Sequence, residues 1–164
     1  MLQFICRSFR ILEPLLDQMD CIPPPFGCLK HNSDAAVKDN LSFCGVGVFI
    51  RNHEGKELAA ISKKILGRFT PEIGEFLALR EGLLLAKHLN IKVDFVESDA
   101  SNVIAGVAND LCSLGPAGLV IDDIKSLCKV VGVSKCYAIS IVRNSVAHSL
   151  ASEMWIDQET NIII

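Results

Sequence analysis

Apolar residues cluster along the chain in five strand-like segments and four helix-like segments. The first strand-like segment begins at Leu29, and the next two cover residues 43–51 and 57–65. Residues 52–55 (Asn-His-Glu-Gly) lie between the second and third segments and are typical of a hairpin turn. Because short turns join neighbouring strands, these three segments predict an antiparallel meander.

The first helix signal follows the meander, at Thr70-Pro71-Glu72. Thr is a favoured N-cap, Pro is favoured at the first helical position, and an acid suits the first turn. Helical spacing then continues to about Leu89, with one apolar face formed by Phe76, Leu79, Leu83 and Ala86. The sequence therefore predicts a long amphipathic helix.

The remaining segments alternate between the two periodicities. They predict a strand over 92–97, a helix over 99–109, a helix over 119–131 after the Gly115-Pro116 break, a strand over 136–142 and a helix over 145–154. The order β-β-β-α-β-α-α-β-α predicts an α/β fold, with a five-stranded mixed sheet and helices on both faces. Strands 1–3 form the meander and the later strands are parallel.

The domain boundaries follow from composition. Residues 1–22 are interpreted as a leader or the remnant of a preceding region, and residues 23–25 are a stiff Pro-Pro-Pro spacer. The domain proper covers 23–155, and 156–164 is a tail. No apolar run reaches the length of about 20 residues that spans a membrane, and the first apolar run is too short for a secretory signal. We expect an intracellular protein, nuclear or cytoplasmic.

Charge and cysteine usage narrow the class further. The 164 residues carry a net charge of -3, so contact with nucleic acid requires a local basic patch. The seven cysteines are scattered, form no CxxC pair, and lie partly in apolar runs. This distribution indicates buried free thiols in a reducing compartment.

Three acidic residues from separate elements are the main chemical signal. Asp34 lies in the first strand, Glu75 lies one turn into the long helix, and Asp99 follows the fourth strand. Right-handed crossover rules favour parallel, neighbouring placement of these two strands, so the three carboxylates could converge at a sheet edge. Converging carboxylates repel unless a cation lies between them, and an all-oxygen cluster suits Mg²⁺.

The sequence also resembles a known family. Its blocks are Pro-Pro-Pro-x-Gly-x-Leu-Lys-x-Asn-x-Asp-Ala from residue 23, Gly-Val-Gly-Val-x-Ile-Arg from 45, Glu-Phe-Leu-Ala-Leu from 75, Glu-Ser-Asp from 97, and Arg-Asn-Ser-Val-Ala-His-Ser-Leu-Ala from 143. They resemble the ribonuclease H superfamily, specifically the plant ribonuclease H-like domains related to retroelement reverse transcriptases. The similarity covers about residues 23–155.

The resemblance implies a metal-dependent endonuclease that cleaves the RNA strand of RNA–DNA hybrids. It implies Mg²⁺, with Mn²⁺ as an alternative, held by Asp34, Glu75 and Asp99 as catalytic residues. The family has a fourth acid four residues after the Asn of the last helix, where this chain has His148. Neutral imidazole is a softer ligand than Mg²⁺ prefers, so we expect slower cleavage, or a role for His148 on a water or product phosphate.

Simpler interpretations remain open for several of these residues. Asp99 could cap the following helix, Asn144 could cap the last helix, and His148 could be an ordinary surface residue. Residues that could contact nucleic acid by their chemistry are Asn32, Lys63, Lys64, Arg68, Asn102 and Asn144. The alternative function is a nucleic-acid-binding module, for a hybrid or RNA, with little or no turnover, and a third reading is an unselected retroelement remnant.

Overall fold

The computed structural model describes residues 22–109, 115–155 and 161–164. Its elements are β1 (Lys30–Val37), β2 (Phe43–Arg51), β3 (Glu57–Leu66), α1 (Pro71–His88), β4 (Phe95–Ser98), α2 (Ser101–Ala108), α3 (Pro116–Val131), β5 (Lys135–Ala138), a 3₁₀ turn (Ile141–Asn144), α4 (Ser145–Glu153) and β6 (Asn161–Ile163). The predicted leader lies outside the described residues, apart from Ile22. No helix in the described ranges is long and apolar enough to cross a membrane.

The strands form one mixed sheet in the order β5-β4-β1-β2-β3-β6. The meander is antiparallel, β4 pairs parallel with β1, and β5 pairs parallel with β4. The predicted architecture of five strands is therefore confirmed. A sixth short strand, β6, pairs antiparallel with β3. It comes from the segment predicted to be a tail, of which residues 156–160 lie outside the described residues.

Helices cover both faces of the sheet, and the alternation of β2 decides which side chains meet them. Val46, Val48 and Ile50 belong to the main core together with the apolar residues of α1. The alternate positions Gly45 and Gly47 face α4, where an added Cβ would overlap the carbonyl oxygens of Ala151 and Ala147. Since successive strand residues point to opposite faces, β2 packs against the main core on one face and against α4 on the other. The two glycines let the backbone of α4 lie directly against β2.

Helix α1 begins as the sequence predicts. Thr70 is the N-cap and its Oγ1 accepts a hydrogen bond from Ile73 N at 3.3 Å, with Pro71 at the first helical position. The residues of the predicted apolar face are all buried: Phe76, Leu79, Leu83 and Ala86. The helix packs on β1, β2 and α3.

A buried histidine shows how closely α1 approaches β1. His31 is fully buried, and neither ring nitrogen has a hydrogen-bond partner among the described residues. An added Cβ at Gly82 would overlap the ring, so only glycine leaves space for it. Burial lowers the pKa of His31 to about 3, and the imidazole is therefore neutral at neutral pH. Gly82 and His31 together bring α1 down onto the strand that carries Asp34.

The boundaries of three predicted elements are wrong. The strand predicted over 136–142 ends at Ala138, and Ile141–Asn144 forms a 3₁₀ turn. Ile141 and Val142 are exposed, so their strand propensity is not matched by a partner strand. The fourth strand starts at Phe95 instead of residue 92. Helix α3 starts at Pro116 instead of residue 119, since proline fits the first turn of a helix.

We expect Gly47→Ala to lower the free energy of unfolding by about 1–3 kcal/mol or more, because the new methyl group must push α4 off the sheet. Urea unfolding followed by circular dichroism measures the loss. Gly106→Ala in α2 is the control, since its Cβ would lie 3.2 Å from the movable ring of Phe76 and alanine favours helix by about 1 kcal/mol. Equal effects of the two substitutions would contradict the close packing of α4.

Candidate active site

Three elements bring the predicted acidic residues to one rim of the sheet. Asp34 lies on β1, and Asp99 directly follows β4, the parallel neighbour of β1. The register pairs Asn32 with Glu97, so two residues further along each strand Asp34 and Asp99 come to the same level. Glu75 lies in the second turn of α1, which packs on β1. The prediction that β1 and β4 are parallel neighbours is confirmed.

The electrostatics of the rim show that the three carboxyl groups interact. Burial raises the pKa of Glu75 to about 9, with further contributions from the nearby side chain of Asp34 and from the charge of Asp99. Burial and the charge of Asp99 also raise the pKa of Asp34, although its interactions with Glu75 and His148 act in the opposite direction. Without a cation, the cluster therefore reduces its repulsion by holding a proton on Glu75.

Each carboxyl group has one oxygen engaged by a protein group. His148 Nδ1 lies 2.7 Å from Asp34 Oδ2, Ala35 N donates to Glu75 Oε1 at 3.3 Å, and Asn144 Nδ2 donates to Asp99 Oδ1 at 2.6 Å. The second oxygen of Glu75 is buried and has no hydrogen-bond partner in the described part of the chain. A buried carboxylate oxygen without a donor is costly unless something positive faces it.

The residues present fit a hard divalent cation. Among the described residues, no three His, Cys, Asp or Glu side chains are already drawn together around a metal-sized space. The donor set nevertheless consists of carboxylate oxygens, which Mg²⁺ prefers, and it includes the partnerless Oε2 of Glu75. A cation would replace the proton of Glu75 as the charge that offsets the repulsion.

His148 lies in the first turns of α4 and contacts the cluster directly. Its side chain is 57% exposed, whereas that of Asp34 is 5% exposed. The contact uses Nδ1, so Nε2 is the nitrogen left to meet a ligand or water. His148 is therefore more than an ordinary surface residue, because its exposed ring contacts Asp34, a buried acid of the candidate site.

Asn144 takes a different role from either of the two that the sequence suggests. It is the N-cap of α4 by position, but its side chain makes no capping hydrogen bond. The side chain is buried and donates instead to Asp99 Oδ1 and, at 2.8 Å, to the backbone oxygen of Ser33. Asn144 therefore positions Asp99 and does not face solvent.

Asp99 is not the cap of α2. The N-cap of that helix is Ala100, and no side chain caps it. The carboxylate of Asp99 instead accepts from Asn144, which lies 45 residues further along the chain. The capping alternative for Asp99 is wrong.

The other residues proposed for nucleic-acid contact lie in varied environments. Asn32 is buried and donates to Glu97 and Asn144, so it is not presented to a ligand. Lys63 forms an ion pair with Glu81, and the ammonium group of Lys64 lies over the ring of Phe43. Arg68 is exposed, and the exposed Asn102 donates to Glu72. Lys64, Arg68 and Asn102 retain exposed or half-exposed surface for phosphate or ribose.

The sequence interpretation missed one buried ion pair beside the site. Glu97 Oε1 lies 2.7 Å from Lys30 Nζ, and both residues are buried. Glu97 stands two residues before Asp99, and strand alternation therefore places it on the face of Asn32 and Asp34. The alternation of strand residues with a period of two is the sequence signal that could have identified Glu97.

Comparison with solved structures defines the class of fold. RNase H1 from the halophilic archaeon Halobacterium salinarum superposes with a TM-score of 0.72 and 20% identity, covering 80% of this chain and 99% of that one. The N-terminal RNase H domain of a Mycobacterium tuberculosis protein gives 0.68 and 21%, covering 76% and 96%. LC11-RNase H1, solved in complex with an RNA/DNA hybrid, gives 0.67 and 20%, covering 76% and 94%. The fold is ribonuclease H-like.

The family follows from the sequence itself. Residues 32–154 match the model of the reverse transcriptase-like family. The chain belongs to that family, and the matched range contains Asp34, Glu75, Asp99 and His148. No curated protein matches the chain.

The protonation of Glu75 makes the stability of the metal-free protein depend on pH. The folded-state pKa of about 9 exceeds the ordinary value of 4.5. The group therefore contributes full stability below pH 4.5, and this is lost as the pH rises to 9. In chelator, we expect Glu75→Gln to raise the melting temperature by a few degrees at pH 8 and by less at pH 5.

Thermal unfolding followed by circular dichroism measures this difference. Glu72→Gln is the matched control, because Glu72 is an exposed acid in the first turn of the same helix. An equal pH dependence of the wild-type and Glu75→Gln proteins would show that Glu75 carries no proton in the folded state.

Proposed function

We propose that the protein is a ribonuclease H-type hydrolase that cleaves the RNA strand of RNA–DNA hybrids. The observation that carries the proposal is the meeting of Asp34, Glu75 and Asp99 at one sheet rim, in mutual electrostatic contact. The solved RNase H1 in complex with an RNA/DNA hybrid shares the fold and supports the choice of substrate.

Asp34, Glu75 and Asp99 would hold Mg²⁺, or Mn²⁺ in its place. When bound, such an ion lowers the pKa of a water and offsets the charge on the phosphate. The chain contributes the orientation of its own oxygens: Asn144 holds Asp99, and Ala35 N holds Glu75. With Nδ1 directed at Asp34, Nε2 of His148 is available to exchange a proton with water or a product phosphate.

Phosphate contacts would come from side chains at the surface. Lys64 lies near the end of β3 and Arg68 follows that strand, and Asn102 lies at the start of α2, three residues after Asp99. With a net charge of -3 for the whole chain, binding depends on such local groups and not on bulk charge.

The second candidate is a nucleic-acid-binding module with little turnover. One specific observation favours it: the position of the family's fourth acid is occupied by His148, which engages an oxygen of Asp34. A gel shift with labelled hybrid at several salt concentrations detects binding independently of cleavage. Binding without cleavage in Mg²⁺ or Mn²⁺ would establish this candidate.

We expect the purified chain to cleave the RNA strand of a labelled hybrid in Mg²⁺ and to stop when chelator is added. Loss of a residue that only supports a metal ligand costs about 10- to 100-fold. Asp34→Asn should therefore lower the rate by about 100-fold or more. The same substitution at the exposed Asp122 of α3 is the control and should leave the rate unchanged. Cleavage that survives both chelator and Asp34→Asn would refute the proposal.

We expect His148→Asp to increase Mg²⁺-supported cleavage by about 10-fold and to narrow any advantage of Mn²⁺ over Mg²⁺, because a carboxylate is the harder ligand. Initial rates in each metal measure both effects. His88→Asp, at the exposed end of α1, controls for the added charge. No gain with Asp at position 148 would count against a ligand position there.

A further inference from the structure

A set of four buried polar residues lies between the candidate site and the start of the described chain. This polar relay consists of Lys30 and Asn32 on β1, Glu97 on β4, and Asn144 at the start of α4. All four are buried, with Asn32 2% and Asn144 1% exposed. Buried polar groups are costly unless they are satisfied, so their contacts are informative.

The contacts form one connected chain that ends at Asp99. Lys30 Nζ lies 2.7 Å from Glu97 Oε1, and Asn32 Nδ2 donates to Glu97 Oε2 at 3.1 Å. The same nitrogen of Asn32 donates to Asn144 Oδ1 at 3.4 Å. Asn144 Nδ2 then donates to Asp99 Oδ1. No member of the relay was assigned this role from the sequence.

The direction of these hydrogen bonds determines what Asp99 receives. An ionised carboxylate only accepts hydrogen bonds, so Glu97 obliges Asn32 to present its NH₂ group. The second N–H of Asn32 then meets the oxygen end of the Asn144 amide, so the nitrogen end faces Asp99 and the backbone oxygen of Ser33, which accepts from the same nitrogen at 2.8 Å. A flipped Asn144 would present an oxygen to a carboxylate, which is repulsive.

Lys30 lies at the end of the relay opposite Asp99. Its ammonium group compensates the buried charge of Glu97, and it also donates to the backbone oxygen of Ile22 at 2.7 Å. Both oxygens of Glu97 are therefore occupied as acceptors, Oε1 by Lys30 and Oε2 by Asn32. The buried ion pair therefore determines the donor-to-acceptor direction of the hydrogen bonds in the relay. Buried polar groups in other proteins can likewise fix one arrangement out of several.

We propose that Lys30, Asn32 and Glu97 are positioning residues of the candidate active site. Together with the backbone oxygen of Ser33 they fix the orientation of Asn144 and through it hold Oδ1 of Asp99, so that Oδ2 would be the oxygen presented to a cation. The inference rests on the proposed function, because it takes Asp99 as a ligand. It adds three residues that touch neither the cation nor the substrate.

The test measures cation affinity of the full chain directly, with Mn²⁺ as the probe and electron paramagnetic resonance as the readout. Asn32→Leu keeps the approximate size and removes the donor to Asn144. We expect Mn²⁺ affinity to fall by about 10-fold, as for other residues that orient a ligand. A thermal unfolding curve for each variant reports stability separately.

A second variant guards against failure of Asn32→Leu to fold. The double substitution Lys30→Met with Glu97→Leu removes both charges together, a change that often leaves stability unaltered. Asn32 then loses the acceptor Glu97, which fixes the direction of its amide, and the same loss of Mn²⁺ affinity is expected without a matching loss of melting temperature.

Ser62→Ala is the matched control. Its Oγ donates to the backbone oxygen of Leu150 at 2.6 Å, on the face of the sheet that carries the relay, and it has no contact with the relay in the described residues. The control should lower the melting temperature and leave Mn²⁺ affinity unchanged. An affinity loss that merely follows the melting temperature across all variants would overturn the positioning role.

The remaining outcomes separate this inference from the proposed function. If folded relay variants bind Mn²⁺ as the wild-type chain does, the relay is overturned while hybrid cleavage still stands as a separate result. If the wild-type chain binds no Mn²⁺, both the ligand role of Asp99 and the positioning role of the relay are refuted.

Discussion

Burial of like charges at the rim between β1 and β4 is the constraint on which the candidate site depends. Parallel pairing of these strands brings Asp34 and Asp99 level, and α1 adds Glu75 from the other side of the rim. Burial, with the charge of Asp34 adding to it, raises the pKa of Glu75 to about 9, and burial together with the charge of Glu75 raises that of Cys44 to about 12. Perturbed pKa values of this kind cluster at functional sites, and the three interacting acids therefore mark this rim as the candidate site.

Helices on both faces of the sheet hold the residues of this rim in place. On one face, the glycine at position 82 lets α1 settle over His31 and bring Glu75 to the backbone nitrogen of Ala35. On the other face, Gly45 and Gly47 let α4 lie on β2, which brings His148 to Asp34. Close backbone approach in both layers therefore determines the distances at the site, and the hydrophobic core supplies the packing that maintains them.

The sequence predicts well what depends on local chemistry and periodicity. Thr70-Pro71 marks the start of α1, and the spacing of three and four residues identifies its buried face. It predicts poorly what depends on a partner far along the chain. Asn144 looks like a cap from its position, yet its partners are Ser33 and Asp99, more than 40 residues away. Ile141 and Val142 favour a strand, but strand formation needs a neighbour as well as propensity.

The resemblance implies an acid where this chain has His148, and this difference would change both the charge balance and the ligands of the proposed cation site. With one carboxylate fewer, the cluster needs less positive charge to become neutral. Asp34 also gains a donor that an acid at position 148 could not supply while ionised. The same contact leaves fewer oxygens of Asp34 for a cation. If the site binds a cation as proposed, a histidine at this position would stabilise the metal-free arrangement and weaken the bound one, because Nδ1 of His148 and the cation would compete for Asp34.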